Sequence, residues 1–233
     1  MAVVVTGGDG TIGQALRAFL PSDTIYLSRH DFDVRERRWD DRWLEADAVI
    51  HAGALTDHQH PNAAQIIETN IIGTQHVAEL CRMTGRRLVY LSTHYVYPGE
   101  TGHYRESDLP RPIGTYAWSK FAGEAWAATV PDHCIIRGSW YTYATRLAAW
   151  ARNGAVVDAW CSREPATSAA RKIARLTSME VRGVINIGGP RRTFAEIAAD
   201  EGVDAPGIAR AQLRGPYPFP ADSSVNTEKY DSL

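Results

Sequence analysis

The sequence contains no long hydrophobic run, and this absence argues against a membrane-spanning helix. A helix needs roughly 18 consecutive apolar residues to cross a bilayer, and no segment of the chain approaches that length. The apolar stretch from Ala2 to Val5 is too short for the core of a secretion signal and has no basic segment before it. We therefore expect a cytoplasmic protein with no membrane partner.

Cysteine is scarce, and neither sign of charge is in marked excess. The three cysteines, Cys81, Cys134 and Cys161, show no CxxC spacing, which is typical of free thiols in a reducing compartment. The formal net charge of −2 argues against a nucleic-acid partner, because phosphate binding usually requires a basic excess. Charged residues at 22% and hydrophobic residues at 44% are typical of a globular chain.

Apolar segments of strand length alternate with segments of helical period in the first part of the chain. The predicted strands are Val3–Thr6, Thr24–Ser28, Asp47–Ala52, Arg87–Ser92 and Cys134–Gly138, and the predicted helices are Thr11–Leu20, Ala63–Met83 and Thr115–Val130. Such alternation is typical of parallel strands joined by helices, and continuous apolar runs indicate burial on both faces. We predict an α/β fold, a Rossmann-type doubly wound parallel sheet.

The alternation weakens beyond residue 140. Helices are predicted at Ala144–Arg152, Ser168–Thr177 and Phe194–Glu201, and short strands at Val156–Trp160 and Val184–Ile187. The segment 216–220 reads PYPFP and is expected to be extended, because proline disfavours helix. We expect residues 1–140 to form a nucleotide-binding core, and residues 141–233 a small substrate-binding cap interleaved with it as one structural unit.

A glycine pattern directly follows the first predicted strand. Gly7, Gly10 and Gly13 form a TGxxGxxG pattern that opens a predicted helix. Glycine permits a sharp turn and a close approach of a diphosphate, and the helix N-terminus supplies N–H donors and partial positive charge. A tight glycine turn without a ligand is the alternative interpretation. The residues expected to bind a dinucleotide here are Gly7, Asp9, Gly10, Thr11, Ile12 and Gly13.

The end of the second predicted strand bears on the choice between NAD and NADP. An acidic residue there usually holds the ribose 2′-hydroxyl of NAD, whereas this strand ends on Ser28 and Arg29. A hydroxyl followed by a guanidinium suits a 2′-phosphate better, so we favour NADP(H). NAD(H) remains an alternative, because Asp31 and Asp33 follow shortly after and Arg29 is equally a surface cation.

Tyr116 and Lys120 are four residues apart, which places a phenol and an ammonium on one face of a predicted helix. A nearby cation stabilises a phenolate and lowers the pKa of tyrosine towards the working range of an acid–base catalyst. Thr93, or failing that Ser92, closes a strand at the sheet edge where ligands bind and is a candidate to contact a substrate oxygen. Alone, the spacing is equally typical of an exposed ion-pairing face.

Several motifs together resemble the extended short-chain dehydrogenase/reductase family. They are TGGDGTIG at 6–13, HAGALT at 51–56, STHYVYPG at 92–99, YAWSK at 116–120 and INIGG at 185–189. Within that family the chain is most similar to the dTDP-4-dehydrorhamnose reductase group, through STHYVYPG, RGSWYTY at 137–143 and NTEKY at 226–230. The resemblance implies an NADP(H)-dependent reductase of the keto group of a nucleotide-linked sugar, acting as a homodimer through the long helices 63–83 and 115–130.

The resemblance also implies residue roles. Thr93, Tyr116 and Lys120 would form the catalytic triad, in which Tyr116 protonates the ketone oxygen, Lys120 holds the nicotinamide ribose, and Thr93 orients the carbonyl. Ala52, Gly53 and Ala54 match the segment that flanks the cofactor. Residues that match or lie near substrate-facing positions are Thr56, His58, Thr93, Tyr95, Tyr116 and Trp140, although Trp140 is equally a core aromatic.

The chain departs from the reductase pattern at His94, where the group usually has Asp, and in a cap that is shorter than usual. A 4,6-dehydratase would need an Asp-Glu pair where His94 and Tyr95 stand. A nucleotide-sugar 4-epimerase needs only the Tyr–Lys pair, so this alternative stays open. A non-catalytic regulatory subunit of the same fold is a second alternative, against which the intact triad argues.

Three histidines, His51, His58 and His60, lie close together in the sequence. Zinc sites need three or four convergent ligands, and these positions match no recognised ligand spacing. We therefore expect no metal.

Overall fold

A computed structural model describes residues 1–37, 41–56, 62–142 and 146–233. The strands are β1 Val3–Thr6, β2 Ile25–Leu27, β3 Ala48–His51, β4 Arg87–Leu91, β5 His133–Arg137, β6 Trp140–Tyr141, β7 Ala155–Val156, β8 Trp160–Cys161, β9 Glu164–Pro165, β10 Gly183–Asn186, β11 Arg192–Thr193 and β12 Gly207–Ile208. The α-helices are α1 Thr11–Leu16, α2 Ala63–Ile67, α3 Gly73–Thr84, α4 Thr115–Ala127, α5 Ala148–Asn153, α6 Ala166–Ser178, α7 Phe194–Asp200 and α8 Glu228–Asp231.

Six of these strands form one parallel sheet in the order β10-β5-β4-β3-β1-β2. The chain passes from β1 outwards to β2 and then returns to β3 on the other side of β1. In sheets of this kind, ligands bind beyond the carboxyl ends of the strands at the point where the strand order reverses. The switch point lies between β1 and β3, where Thr6 pairs with His51. The predicted Rossmann-type fold is confirmed.

The two faces of the sheet are covered by different helices, because alternate residues of each strand point in opposite directions. Val3 and Val5 pack into one hydrophobic cluster with side chains of α1 and α6. Val4, between them, packs into a second cluster with side chains of α3 and α4. Both faces are therefore buried, which accounts for the continuous apolar runs in the sequence.

The long helix predicted at 63–83 is present but is interrupted by one π-helical turn, Glu68–Ile72, between α2 and α3. This turn carries the fully buried Asn70. The Asn70 amide donates to the Leu55 carbonyl at 2.9 Å and accepts from the Leu55 N–H at 2.8 Å. The local widening thus lets one side chain fix the loop that leaves β3, which is a frequent use of π-turns at functional sites.

The C-terminal part of the chain has a hydrophobic cluster of its own. This cluster includes Leu147, Trp150, Val156, Phe194 and Ile197. We use the word cap for the residues between 141 and 233 that pack around this cluster. The sheet nevertheless takes its sixth strand, β10, from beyond residue 140, and α6 packs against α1. Residues 141–233 therefore supply part of the core layer as well as the cap.

Two predicted elements of this region differ from the structure. The single strand expected at Val156–Trp160 is wrong: β7 and β8 are separate strands, because β7 pairs with β12 and β8 pairs with β11. The helix expected at Ala144–Arg152 is described only as α5, since residues 143–145 lie outside the described part of the chain. No helix among the described residues is long and apolar enough to cross a membrane.

Candidate active site

The glycine loop between β1 and α1 brings backbone close to backbone. Gly7 has a φ of +67°, and a Cβ placed there would lie 2.8 Å from the Gly53 Cα. A Cβ on Gly13 would lie 2.5 Å from the Gly7 carbonyl oxygen. Gly10 precedes the first turn of α1, so the helix N-terminus opens at this loop. Such a cradle fits a diphosphate, which needs close backbone approach and N–H donors.

The other residues predicted for this loop divide by exposure. Asp9 and Thr11 are exposed, whereas Ile12 is buried in the core and contributes only its backbone to the loop. Across the switch point, the half-buried residues Ala52, Gly53 and Ala54 follow β3. The Gly53 N–H donates to Thr6 Oγ1 at 3.3 Å, so this segment is tied to the end of β1.

His51 anchors the same corner from inside the sheet. Its Nδ1 lies 2.7 Å from Thr6 Oγ1, and its Nε2 lies 3.1 Å from Thr74 Oγ1. Burial, reinforced by the charge of Lys120, lowers the pKa of His51 to about 3, so the ring is neutral at ordinary pH. This structural role explains the histidine on β3. The two histidines near it in the sequence, His58 and His60, lie outside the described residues.

The cation and the carboxylates that the sequence suggested as ribose-binding groups all follow β2. Ser28 donates to Asp31 Oδ2 through its N–H at 2.9 Å and its hydroxyl at 2.7 Å. Arg29 is exposed, and its Nε lies 3.5 Å from Asp33 Oδ2. Arg35 also binds Asp33 through two of its nitrogens, and this bond lowers the pKa of Asp33 to about 2. Ser28 and Arg29 therefore lie beside two carboxylates at the cofactor edge.

Thr93 and Tyr116 meet beyond the carboxyl end of β4. Thr93 follows β4, and Tyr116 lies in the first turn of α4, so that their side chains are neighbours. Burial raises the pKa of Tyr116 to about 12, while hydrogen bonding to Thr93 and the charge of Arg163 oppose that rise. Ser92 points elsewhere, because its hydroxyl donates to buried Glu124 at 2.5 Å. Of the two candidate hydroxyls, Thr93 is the one beside the phenol.

Lys120 lies one helical turn after Tyr116 and is only 2% exposed. Burial lowers the pKa of Lys120 to about 7, and the neighbouring Glu124 opposes this shift. Its Nζ lies 4.2 Å from the centroid of the Tyr90 ring. The expectation that Lys120 lowers the pKa of Tyr116 stays a prediction, and the structure adds a second cation, Arg163, whose charge lowers that pKa.

A cavity of about 1200 Å³ lies between Tyr116 and the cap. The predicted residues Thr56, Tyr95 and Tyr116 line it. Cap residues that also line it, and that the sequence did not single out, are Arg146, Asp158, Arg210, Arg214, Tyr217 and Phe219. Three arginines against one aspartate make this wall basic. No local motif marks these arginines, because only the folding of the cap brings them to α4.

Trp140 does not belong to this lining in the described part of the chain. It is half-buried and packs against the core cluster of α1 and α6, which favours its alternative interpretation as a core aromatic. His58 lies outside the described residues. His94 is fully buried, and its ring packs edge-on against Tyr95 at 4.4 Å between centroids.

Comparison with known proteins gives the family of the chain. Residues 1–153 match the family model described as the RmlD substrate binding domain. The chain belongs to this family. It is 30% identical to a dTDP-4-dehydrorhamnose reductase of Mycobacterium tuberculosis (strain CDC 1551 / Oshkosh), across 98% of this chain and 86% of that protein. The predicted kinship with the dTDP-4-dehydrorhamnose reductase group is thereby confirmed.

Solved structures of family members show the same fold. A hypothetical dTDP-4-dehydrorhamnose reductase from Sulfolobus tokodaii superposes with a TM-score of 0.88 at 24% identity, covering 100% of this chain and 94% of that one. A dTDP-4-dehydrorhamnose reductase from Bacillus anthracis, solved in complex with NADP, has a TM-score of 0.87 at 20% identity and covers 99% and 92%. At these identities the likeness establishes the fold, including the cap.

Proposed function

We propose that the chain is an NADP(H)-dependent reductase of the keto group of a nucleotide-linked sugar, specifically a dTDP-4-keto-6-deoxyhexose. The observation that carries this proposal is the position of Tyr116, a proton donor that lines the cavity beyond the carboxyl edge of the sheet, next to Thr93. Family membership and the names of the relatives support the choice of substrate.

The glycine loop fits the diphosphate of the dinucleotide, and Ala52, Gly53 and Ala54 fit its flank. When bound, the reduced nicotinamide supplies hydride to the carbonyl carbon. Ser28 and Arg29 suit the 2′-phosphate of NADP(H), as a bound hydroxyl and guanidinium do elsewhere. NAD(H) is the second candidate cofactor, because Asp31 and Asp33 lie at the same edge.

Tyr116 donates its proton to the carbonyl oxygen, and the neighbouring Thr93 hydroxyl orients that carbonyl. Lys120 lies behind Tyr116 on the same helix face, where its ammonium would hold the nicotinamide ribose. Burial lowers the pKa of Lys120 to about 7 and thus disfavours its charged form, which a hydrogen-bonding ligand would stabilise.

The nucleotide end of the substrate suits the basic wall of the cavity. Arg146, Arg210 and Arg214 offer guanidinium groups for a diphosphate, and Tyr217 and Phe219 offer rings for a base. The Tyr217 hydroxyl lies 3.2 Å from Thr115 Oγ1, so the extended 216–220 segment reaches the residue next to Tyr116. A nucleotide bound along this wall would therefore present its sugar to the phenol.

Two further attributes belong to the proposal. We expect a homodimer, because Ile67, Ile72 and Trp118 expose apolar side chains on the long helices. Light scattering tests this, and a monomer at micromolar concentration would contradict it. We expect the enzyme in the cytoplasm, where free buried thiols such as Cys81 persist.

The deciding experiment supplies purified protein with NADPH and dTDP-4-keto-6-deoxyglucose or its epimers and follows absorbance of the reduced cofactor. We expect consumption that depends on the sugar nucleotide. Tyr116→Phe should lose at least about a hundredfold in kcat and keep NADPH affinity, because only the proton donor is removed. Equal turnover of this variant would remove Tyr116 from the mechanism.

The nucleotide that co-purifies with the protein distinguishes a reductase from the alternative 4-epimerase. An epimerase would retain bound NAD and recycle it, whereas a reductase would release NADP. A protein that binds NADPH yet reduces no keto-sugar would instead favour the regulatory-subunit alternative, for which His94 and the short cap were the motivation.

A further inference from the structure

Arg163 is a buried cation that contacts Tyr95, a residue of the cavity that Tyr116 also lines. It lies in the cap between β8 and β9 and is only 5% exposed. Its Nη2 donates to the Tyr95 hydroxyl at 3.0 Å. Within the part of the chain that the structure describes, its Nε has no hydrogen-bond partner and no ion pair is formed. A buried charge without a carboxylate is expensive to keep, so its presence calls for an explanation.

Aromatic rings hold the guanidinium in place. Its Cζ lies 5.4 Å from the centroid of Phe194 and 5.9 Å from that of Tyr95. These contacts stabilise the cation partly and fix its position. Burial opposes the charged form, yet Tyr95 and the other acidic groups around it keep the pKa of Arg163 above its ordinary value. Arg163 is therefore a permanent positive charge.

Tyr95 connects this charge to the site of proton transfer. Tyr95 lines the same cavity as Tyr116 and follows Thr93 by two residues. The groups that act on the Tyr116 phenol come from two places: Thr93 and Tyr95 from the turn after β4, and Arg163 from the cap. Tyr95 raises the pKa of Tyr116, whereas Thr93 and Arg163 lower it. Lys120, on the helix of Tyr116 itself, also lies 4.2 Å from the centroid of the Tyr90 ring.

We propose that Arg163 is a positioning residue for the proton transfer: held by the Tyr95 hydroxyl, its fixed charge stabilises the phenolate that Tyr116 becomes. This role rests on the proposed reductase function. In the step, the O–H bond of Tyr116 breaks and an O–H bond forms at the former carbonyl oxygen, while the bond pair stays on the phenol oxygen. The carbon receives hydride from the reduced nicotinamide, which is oxidised.

The cap thereby has a second role beside substrate binding. The lysine of the Tyr–Lys pair is fixed by the core sheet and α4, whereas Arg163 depends on cap residues such as Phe194. The acidity of Tyr116 is consequently coupled to how the cap packs against β4. A merely structural arginine would affect stability and leave that acidity unchanged.

The first test measures the acidity directly in the full chain, without substrate. Tyr116 is replaced by 3,5-difluorotyrosine, whose fluorines lower the phenol pKa into the range where proteins stay folded, and ¹⁹F NMR follows its ionisation. We expect Arg163→Met to raise the midpoint by about one pH unit, as loss of a nearby opposite charge does. Arg163→Lys should keep the midpoint close to that of the parent protein.

A midpoint that stays unchanged or falls in Arg163→Met would overturn the proposal. Should that variant not fold, Arg163→Gln offers a second neutral side chain with the same expectation.

The second test uses the pH dependence of keto-sugar reduction. Because Tyr116 must be protonated to act as the acid, kcat falls at high pH, and neutral variants of Arg163 should move that fall to higher pH while KM for NADPH is retained. A uniform loss of kcat at every pH, with no movement of the profile, would indicate a structural role and refute the inference. Failure of the wild-type chain to reduce any keto-sugar would count against the proposed function, whereas the fluorine titration would still decide the role of Arg163.

Discussion

Gly7 and Gly53 pack backbone against backbone across the switch point of the sheet, where a Cβ on Gly7 would approach the Gly53 nitrogen and Cα to 2.8 Å. The steric restriction applies to Gly7 and not to Gly53. A Cβ on Gly53 would make only ordinary contacts, the closest being Thr6 Oγ1 at 3.4 Å. Of the two glycines, Gly7, which belongs to the glycine pattern of the sequence, is therefore the one that cannot accept a side chain.

Gly7→Ala should destabilise the protein by about 1–3 kcal/mol, because it combines a positive φ with a backbone clash. It should also weaken NADPH binding at least tenfold by displacing the loop. Gly53→Ala is the matched control for stability and should alter the free energy of unfolding little, because a Cβ there makes only ordinary contacts. Urea denaturation measures stability and fluorescence titration measures NADPH binding. Equal destabilisation by the two substitutions would contradict the assigned geometry.

Arg29 and Asp31 should shift the choice of dinucleotide in opposite directions. Arg29→Ala removes a cation for the 2′-phosphate and should lower the NADPH-to-NADH ratio of kcat/KM about tenfold, the value of one charge-assisted hydrogen bond. Asp31→Asn should raise the ratio by a similar factor, because a carboxylate bound to Ser28 repels phosphate.

Arg37→Ala is the control for this pair, since Arg37 is exposed and forms its ion pair with Glu79 on α3. An unchanged ratio in both test variants would mean that the 2′-position of the ribose lies elsewhere.

Glu124 supports the catalytic helix from behind through a buried ion pair. Its carboxylate accepts two hydrogen bonds from Arg137, at 2.9 and 2.6 Å, and one from Ser92. Glu124→Gln should destabilise the fold by about 3 kcal/mol, since it leaves the Arg137 charge buried without its counter-charge.

The exposed pair Arg105–Glu228 provides the comparison, and Glu228→Gln should leave the urea midpoint unchanged. If Glu124→Gln lowered the free energy of unfolding as little as Glu228→Gln, groups other than Glu124 would have to compensate the Arg137 charge.

His51 should make folding sensitive to acid. Its pKa is about 3 in the folded chain, below the ordinary value of 6.5, so below pH 6.5 the unfolded chain binds a proton that the folded chain does not. Stability therefore decreases as pH falls through this window, by about 2 kcal/mol at pH 5. Above pH 6.5 the imidazole is neutral in both states and contributes no pH dependence.

His51→Gln should flatten this part of the stability curve, even if it lowers stability at every pH by weakening the bonds to Thr6 and Thr74. Urea denaturation at a series of pH values measures the slope. A variant with the same slope as the wild-type chain would show that other groups cause the acid sensitivity.

The sequence predicted the parallel sheet and the cofactor loop because both depend on local signals. Continuous apolar runs indicate strands buried on two faces, and three glycines between a strand and a helix indicate a diphosphate cradle. The pairing of Tyr116 with Lys120 followed from helical spacing alone. The π-turn at 68–72 and the break between β7 and β8 were missed, since these depend on packing against Leu55 and on two separate strand partners.

The amino-acid sequence alone was enough to predict which residues carry the chemistry: the glycines of the loop, Thr93, Tyr116 and Lys120. Only the tertiary structure decided what surrounds them. Periodicity and spacing encode neighbours within one element, whereas electrostatics depends on distances between elements far apart in the chain. That is why the arginines of the cavity, and Arg163 beside the phenol, became visible only once the cap was folded against the sheet.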